Sequence, residues 1–182
     1  MERSMVEQAK LGDREAFTRL AFELSDHLFA VAHRILRDFD AAGDALQVTL
    51  LRIWRDLPSL RDPDRFEAWA YRVLLRACQD QLRRQNRQPR TLHLLAADAI
   101  AADPALAIVN REQLDRAFRT LTTEQRAAIV LQYYRDMSLP QIAEVLQVPI
   151  GTVRSRLHYA KRALRSAIDA DSRPTTREGR TA

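Results

Sequence analysis

Apolar residues recur along this chain at steps of three and four, with no sustained alternation of Val, Ile or Thr, so the pattern predicts helices throughout. Residues before Asp13 read as a weak lead-in. Asp13 is placed to cap a helix running through Leu24, with Phe17, Leu20 and Leu24 on one face. Ser25 or Asp26 is placed to cap the next, which carries Leu28, Val31, Ala32, Ile35 and Leu36. Asp38 or Asp40 opens a third helix through Ala45, Leu46, Leu50, Ile53, Trp54 and Leu57. Pro58 and Pro63 bracket a loop. Asp62 as cap, with Pro63 at the first helical position, begins a long helix to about Arg84 that carries Phe66, Trp69, Ala70, Val73, Leu74, Ala77, Cys78 and Leu82.

The second half repeats the helical pattern after a polar interruption. A helix is predicted from about Ala105 to Arg119. Thr122 and Gln125 have capping-box spacing and start another, through Ala128, Ile129, Leu131, Gln132 and Tyr133. Ser138 and Gln141 have the same spacing, with Pro140 in the first turn, and start a short helix with Ile142, Ala143 and Leu146 on one side. Gln147-Val148-Pro149-Ile150 forms a corner. The helix after it starts between Pro149 and Thr152 and carries Val153, Leu157, Ala160 and Leu164 at steps of 4, 3 and 4. Two helices with a packed inner face and a tight corner read as a helix-turn-helix.

The expected fold is all-α: two small helical domains joined by a flexible linker, the second a four-helix domain with the helix-turn-helix. Residues 1–85 form the first domain, 86–110 the linker, 111–170 the second domain and 171–182 a disordered tail. Fully extended, a linker of ~25 residues reaches at most about 85 Å. That is enough for two domains to contact one duplex two turns apart, roughly 70 Å.

Composition narrows the function. The 182 residues carry a net charge of +5 and a pI near 10.0, which suits a polyanionic partner. The single cysteine, Cys78, falls in an apolar helical pattern and reads as a small buried hydrophobe. Disulfides and a cysteine-based zinc site are excluded. Met1–Glu7 lacks the apolar core of a signal peptide, and no stretch approaches ~18 apolar residues, so a cytoplasmic protein without membrane insertion is expected. The four glycines, at 12, 43, 151 and 179, make no phosphate loop. His27, His33, His93 and His158 lack metal-ligand spacing, and no nucleophile–base pair can be assembled. Neither an enzyme nor a metal or cofactor site is expected.

The candidate chemistry is basic. Arg154, Ser155, His158, Lys161, Arg162 and Arg165 share the face opposite the apolar stripe of the last helix, with no acid between Arg154 and Arg165. Following a helix-turn-helix corner, that face is placed to enter a major groove. Thr152, Arg154, Ser155, Arg156, His158, Lys161 and Arg162 are the candidate contacts; Arg156 lies off the centre and suits a phosphate. The end of the long helix carries Arg83, Arg84, Arg87 and Arg90. Trp69 and Tyr71, two residues apart, cannot both face the core, so an aromatic is exposed nearby. Arginines with exposed rings suit single-stranded nucleic acid. They equally suit a solvated helix end complementing the helix dipole.

Four segments carry a family resemblance. Leu11-Gly-Asp-Arg-Glu-Ala-Phe17, Ala41-Ala-Gly-Asp-Ala-Leu-Gln47 with Leu50-Leu-Arg-Ile-Trp54, Phe66-Glu-Ala-Trp-Ala-Tyr-Arg-Val73 with Asp80-Gln-Leu-Arg-Arg84, and Leu121–Leu164 resemble, in order and spacing, the extracytoplasmic-function (ECF) sigma factors of bacterial RNA polymerase. The resemblance implies a transcription initiation factor whose Asp44, Gln47, Leu50, Arg52 and Trp54 dock the polymerase clamp. It implies that Arg61, Trp69, Tyr71, Arg72, Arg76, Asp80, Arg83 and Arg84 open and hold the −10 promoter element as a single strand. The helix-turn-helix would read the −35 element as duplex, and an anti-sigma protein would regulate the chain. The sequence departs from the family pattern at Gly43 for an acid, Arg76 for Asn, Gln147 for Gly and Tyr159 for a basic residue. The competing reading is a helix-turn-helix regulator that binds duplex DNA without polymerase; it leaves the Asp44–Trp54 motif without a purpose. A second is a helical interaction protein whose basic faces are merely solvated.

Overall fold

The computed structural model describes residues 3–87 and 114–171, which are helices and short connections with no β-strand among them. The N-terminal group comprises α1 (Arg3–Lys10), α2 (Arg14–Leu36), α3 (Phe39–Asp56) and α4 (Phe66–Arg87). The C-terminal group comprises a helical stretch at 114–119 (α5), α6 (Thr123–Tyr133), α7 (Leu139–Leu146) and α8 (Ile150–Asp171). The linker and tail expected from sequence lie outside the described residues, except that α4 reaches Arg87 and α8 reaches Asp171.

Local capping places most boundaries where the sequence predicts them. Asp13 accepts from Glu15 N and Ala16 N at 2.9 and 3.1 Å. Asp38 accepts from Ala41 N at 2.8 Å, and Asp62 from Asp64 N at 3.0 Å. Each such cap stabilises its helix by about 1 kcal/mol. The Thr122–Gln125 box is closed in both directions, at 3.0 and 3.3 Å. At Ser138 both the backbone N–H and the hydroxyl donate to Gln141 Oε1, each at 2.8 Å. Asp62 first opens a single 3-10 turn, Pro63–Arg65, before α4 proper.

Two expectations fail. The N-terminal lead-in is a helix, α1, which buries Val6 and Ala9 against the rest of the group. Gly12, at φ +91°, turns the chain from α1 into α2. The expected break at Ser25–Asp26 is also absent. Leu20, Leu24, Leu28, Val31 and Ile35 form one uninterrupted buried stripe, and no Gly or Pro intervenes. Ser25 does not cap; its hydroxyl donates back to Ala21 O at 2.6 Å, so the helix runs through.

The long α2 is the axis of the molecule, packing against α1, α3, α4 and, from the second group, α6. Its far end is a non-glycine αL cap, Arg37 at φ 60°, whose N–H donates to His33 O at 2.7 Å. The Arg37 guanidinium donates to Asp115 O at 2.7 Å and pairs with the Asp115 carboxylate, tying the end of α2 to α5. Although burial opposes it, the Arg37 and Arg119 hydrogen bonds hold the Asp115 carboxyl below its ordinary value. Cys78 is a buried free thiol, and burial pushes it up to about 12.

His33 lies in the same region, stacked on Phe29 with Phe39 across the edge. Burial lowers its pKa, and the neighbouring Arg34 and Arg37 lower it further. The unfolded chain therefore binds a proton near pH 6.5 that the folded chain accepts only at lower pH. This stability is complete above pH 6.5 and declines as pH falls toward the folded value. Thermal midpoints between pH 7 and pH 5 should fall less steeply for His33→Gln than for the parent; parallel curves would remove His33 as the cause.

Candidate nucleic-acid interface

The recognition helix forms because its apolar side is anchored. Val153 and Ala160 are fully buried, Leu157 nearly so, and Leu164 is half-buried, all at helical spacing against α6 and α7. The opposite side is consequently free. Arg154, Ser155, His158, Lys161 and Arg162 are exposed, while Thr152 and Arg156 at the flanks are half-buried. Among the described residues no acid is paired with Arg154, Arg156 or Arg162, leaving their guanidinium forks available for bidentate contacts to guanine or phosphate. Ser155 Oγ donates to Thr152 O at 2.9 Å. Lys161 lies 5.3 Å from the Tyr133 ring, and His158 packs edge-on against Tyr159, which is itself exposed.

The corner, where Gln147 stands in place of the family's Gly, holds a positive φ. Gln147 sits at φ 54°, ψ 46° and donates its N–H to Ala143 O and Glu144 O, closing α7 as an αL cap.

The long helix α4 presents a second surface. Trp69, Arg72, Arg76, Asp80 and Arg83 follow one another at steps of 3, 4, 4 and 3, forming one stripe, with Arg65 four residues ahead of it. Trp69 is half-buried against Phe66, while Arg76, Arg83 and Arg84 are exposed. Arg61, Arg65, Trp69 and Arg72 bound a cavity of about 290 Å³ whose remaining walls include Leu60 and Glu144 of α7. Cationic forks around an indole suit a planar base stacked on a ring with phosphates beside it. Arg65 escaped the sequence reading; its signal is its position three residues after the Asp62 cap, where α4 begins.

Tyr71 stands apart from this stripe. It lies on the inner side of α4, fully buried, with Arg135 at 5.4 Å from its ring and its hydroxyl without a hydrogen-bond partner. Burial is also what raises its pKa. Of the two aromatics, therefore, Trp69 is the one that reaches the surface.

The third surface is on α3. Asp44, Gln47 and Trp54 share one exposed face at steps of 3 and 7, and Leu51 completes it at 69% exposure. Leu51 was not singled out from sequence; its signal is its spacing, seven residues from Asp44 and four from Gln47, on the exposed face of α3. Leu50 is half-buried. Trp54 packs edge-on to Phe17 at 4.6 Å. Arg52 turns the other way and pairs with Asp80 of α4 at 2.8 Å. Asp44 accepts from Gln81 at 3.1 Å. Residues that the family resemblance divides between polymerase and DNA thus lock α3 to α4. Gly43 lies within α3 with nothing near its missing side chain, so no close approach requires glycine there.

Comparison with known proteins follows this division. Residues 22–88 match Sigma-70 region 2, and residues 111–164 match Sigma-70, region 4. The chain is 28% identical to the RNA polymerase sigma-H factor of Pseudomonas aeruginosa, over 97% of this chain and 96% of that protein. It is 28% identical to the ECF RNA polymerase sigma factor SigW of Bacillus subtilis, over 92% and 97%. The solved structure of CnrH in complex with the cytosolic domain of CnrY superposes with a TM-score of 0.71 at 27% identity, over 93% and 98%. The sigma factor RpoE of Bartonella quintana, in complex with the anti-sigma factor NepR, shares the fold at a TM-score of 0.68 and 23% identity, over 85% and 98%.

The αL corner makes a direct prediction. Gln147→Gly and Gln147→Ala both delete the amide, but only glycine adopts φ > 0 without a Cβ penalty. Gln147→Gly should be more stable than Gln147→Ala by about 1 kcal/mol in urea unfolding; equal stabilities would show that the corner is unstrained.

Proposed function

From the premise that this chain belongs to the ECF sigma factors, we propose that it binds core RNA polymerase and directs it to promoters through −10 and −35 recognition. The observation that carries this reading is the coexistence, in one chain, of a free basic recognition helix and an arginine–tryptophan stripe on a separate helix, in the order of the two matched regions. Such a factor is not an enzyme; it lends sequence preference to one. The cytoplasm, where the polymerase works, is its place of action, and no described helix is long and apolar enough to cross a membrane.

The division of labour we infer is residues 1–85 for polymerase binding and the −10 element, 86–110 for the link, 111–170 for the −35 element, and 171–182 as a tail. Asp44, Gln47, Leu51 and Trp54 form the polymerase-facing patch, with Arg52 acting through its Asp80 pair. Arg154, Ser155, His158 and Arg162 face base edges, while Thr152, Arg156 and Lys161 face phosphates. On the −10 side, Trp69 stacks an unpaired base, while Arg61, Arg72, Arg76, Arg83 and Arg84 meet the strand. Capturing bases outside the stack offsets an unstacking cost of a few kcal/mol. Tyr71, being buried, reaches the strand only if the two groups of helices separate. An anti-sigma protein is the expected regulator; CnrH, a similar protein of known structure, was solved in complex with the cytosolic domain of CnrY.

A duplex-binding regulator that ignores polymerase has the recognition helix but no use for the α3 patch. Gel filtration with core polymerase separates the two: co-elution is expected, and its absence would defeat the sigma reading. In holoenzyme, Arg154→Ala or Arg162→Ala should weaken promoter binding by about 5- to 150-fold each if it contacts a base. Unchanged binding would return that arginine to the solvated surface. Trp69→Ala should lower open-complex formation while leaving binding to the −35 duplex intact, a separation that permanganate footprinting reads; equal losses in both would argue against stacking.

A further inference from the structure

The exposed face of α8 carries one phenol ring, Tyr159, among cations and small polar side chains. Val153, Leu157, Ala160 and Leu164 make the inner stripe of the helix. Ser155, Tyr159, Arg162 and Ser166 each follow one of them by two residues, about 200° further round. All four are exposed, so they make the outer stripe, at steps of 4, 3 and 4. Tyr159 therefore stands in the same row as Ser155 and Arg162, and it is 58% exposed.

The neighbours of the ring orient it without covering it. His158 packs edge-on against it, with ring centroids 5.5 Å apart and planes at 75°, which restricts how the phenol turns. Ser155, one turn before, is small, and its hydroxyl donates back to Thr152 O at 2.9 Å. It leaves the space beside the ring open. The other exposed tyrosines differ. Lys161 lies over the Tyr133 ring at 5.3 Å, and Arg34 over the Tyr134 ring at 3.7 Å.

The major groove offers such a ring one matching group. Base edges there present nitrogen and oxygen donors and acceptors, and a single apolar substituent, the thymine 5-methyl. A phenol ring has no fork of donors for a purine edge. Packing it on a purine or cytosine edge strips water from polar atoms and returns no hydrogen bond from the ring. Packing it on the methyl removes apolar surface of both from water.

We propose that Tyr159 is a specificity-determining residue that reads thymine, its ring packing on the 5-methyl of one thymine in the −35 element. The inference rests on the proposed −35 role of α8 and deepens it by naming the base that one position accepts. Arg162 and Ser155, in the same row, act on neighbouring base edges by charge and hydrogen bonding. Tyr159 adds selection by apolar contact, so the preference disappears when the methyl does. Its hydroxyl is not needed for that selection.

The test uses holoenzyme assembled from the full-length chain and core polymerase. A duplex pool randomised across the promoter is selected for binding, and sequencing of the bound fraction defines the −35 element. Each thymine of that element is then replaced singly by deoxyuridine, which deletes only the methyl, and affinity is measured by competition. For the parent, one replacement should weaken binding about fourfold, the worth of one buried methyl group. Tyr159→Phe should keep that loss. Tyr159→Ala and Tyr159→Arg should bind the thymine and deoxyuridine duplexes equally. In a fresh selection, Tyr159→Arg should exchange thymine for guanine at that position and keep the other preferences. A merely structural role for Tyr159 would leave the methyl dependence in place. Indifference of the parent to every replacement overturns the proposal. So does a methyl effect that persists in Tyr159→Ala or Tyr159→Arg, which would assign it to another side chain. Loss of the effect in Tyr159→Phe also overturns it, in favour of a hydroxyl contact. If the parent holoenzyme selects no −35 sequence at all, the −35 reading falls and takes this proposal with it; a selected element without methyl dependence overturns the proposal alone.

Discussion

The uninterrupted apolar stripe of α2 is the constraint from which the rest follows. Leu20, Leu24, Leu28, Val31 and Ile35 run along more than four turns, more than one neighbour can cover. Helices α1, α3 and α4 cover much of it, and α6 of the second group also packs on α2. Burying such a stripe stabilises by roughly 1.5–3 kcal/mol per large side chain, well above what the surrounding surface pairs contribute. Apolar cover brings the second group close. The polar pairs at Arg37, Arg135 and Glu144 then set where it sits.

That placement gives the two proposed nucleic-acid surfaces different physical characters. The recognition helix is built outward from a buried seam, and among the described residues no acid pairs with Arg154, Arg156 or Arg162. The α4 stripe is built at a boundary between groups, so its arginines already hold partners. A surface of the first kind binds on encounter. Any ligand of the second would have to displace Glu144 or Gln147 from those arginines. Gln147 belongs to both: its backbone closes the corner of the helix-turn-helix, and its side chain reaches Arg76.

The pairing of Arg52 with Asp80 and of Gln81 with Asp44 extends the coupling. Helices α3 and α4, for which we propose polymerase-facing and strand-facing roles, share these polar links across a packed seam. Displacement of one helix is therefore felt by side chains of the other.

What the sequence determined by itself was whatever short-range chemistry controls. Asp13, Asp38, Asp62 and Thr122 cap helices because a side-chain oxygen needs only the next two or three backbone N–H groups. The inner face of α8 was legible because burial follows a fixed angular period. Family motifs placed the two regions for the same reason, as local patterns. Tertiary structure decided the rest. Val6 and Ala9 become core only once α2 and its neighbours are in place, so α1 carried too weak a signal alone. Ser25 looks like a cap until the stripe beneath it proves continuous. Tyr71 and Trp69 were interchangeable by spacing; Arg135, far along the chain, covers one and leaves the other beside a cavity. The partners of Glu144 lie seventy or more residues away, and no local rule connects a helix-turn-helix carboxylate to the arginines of α4.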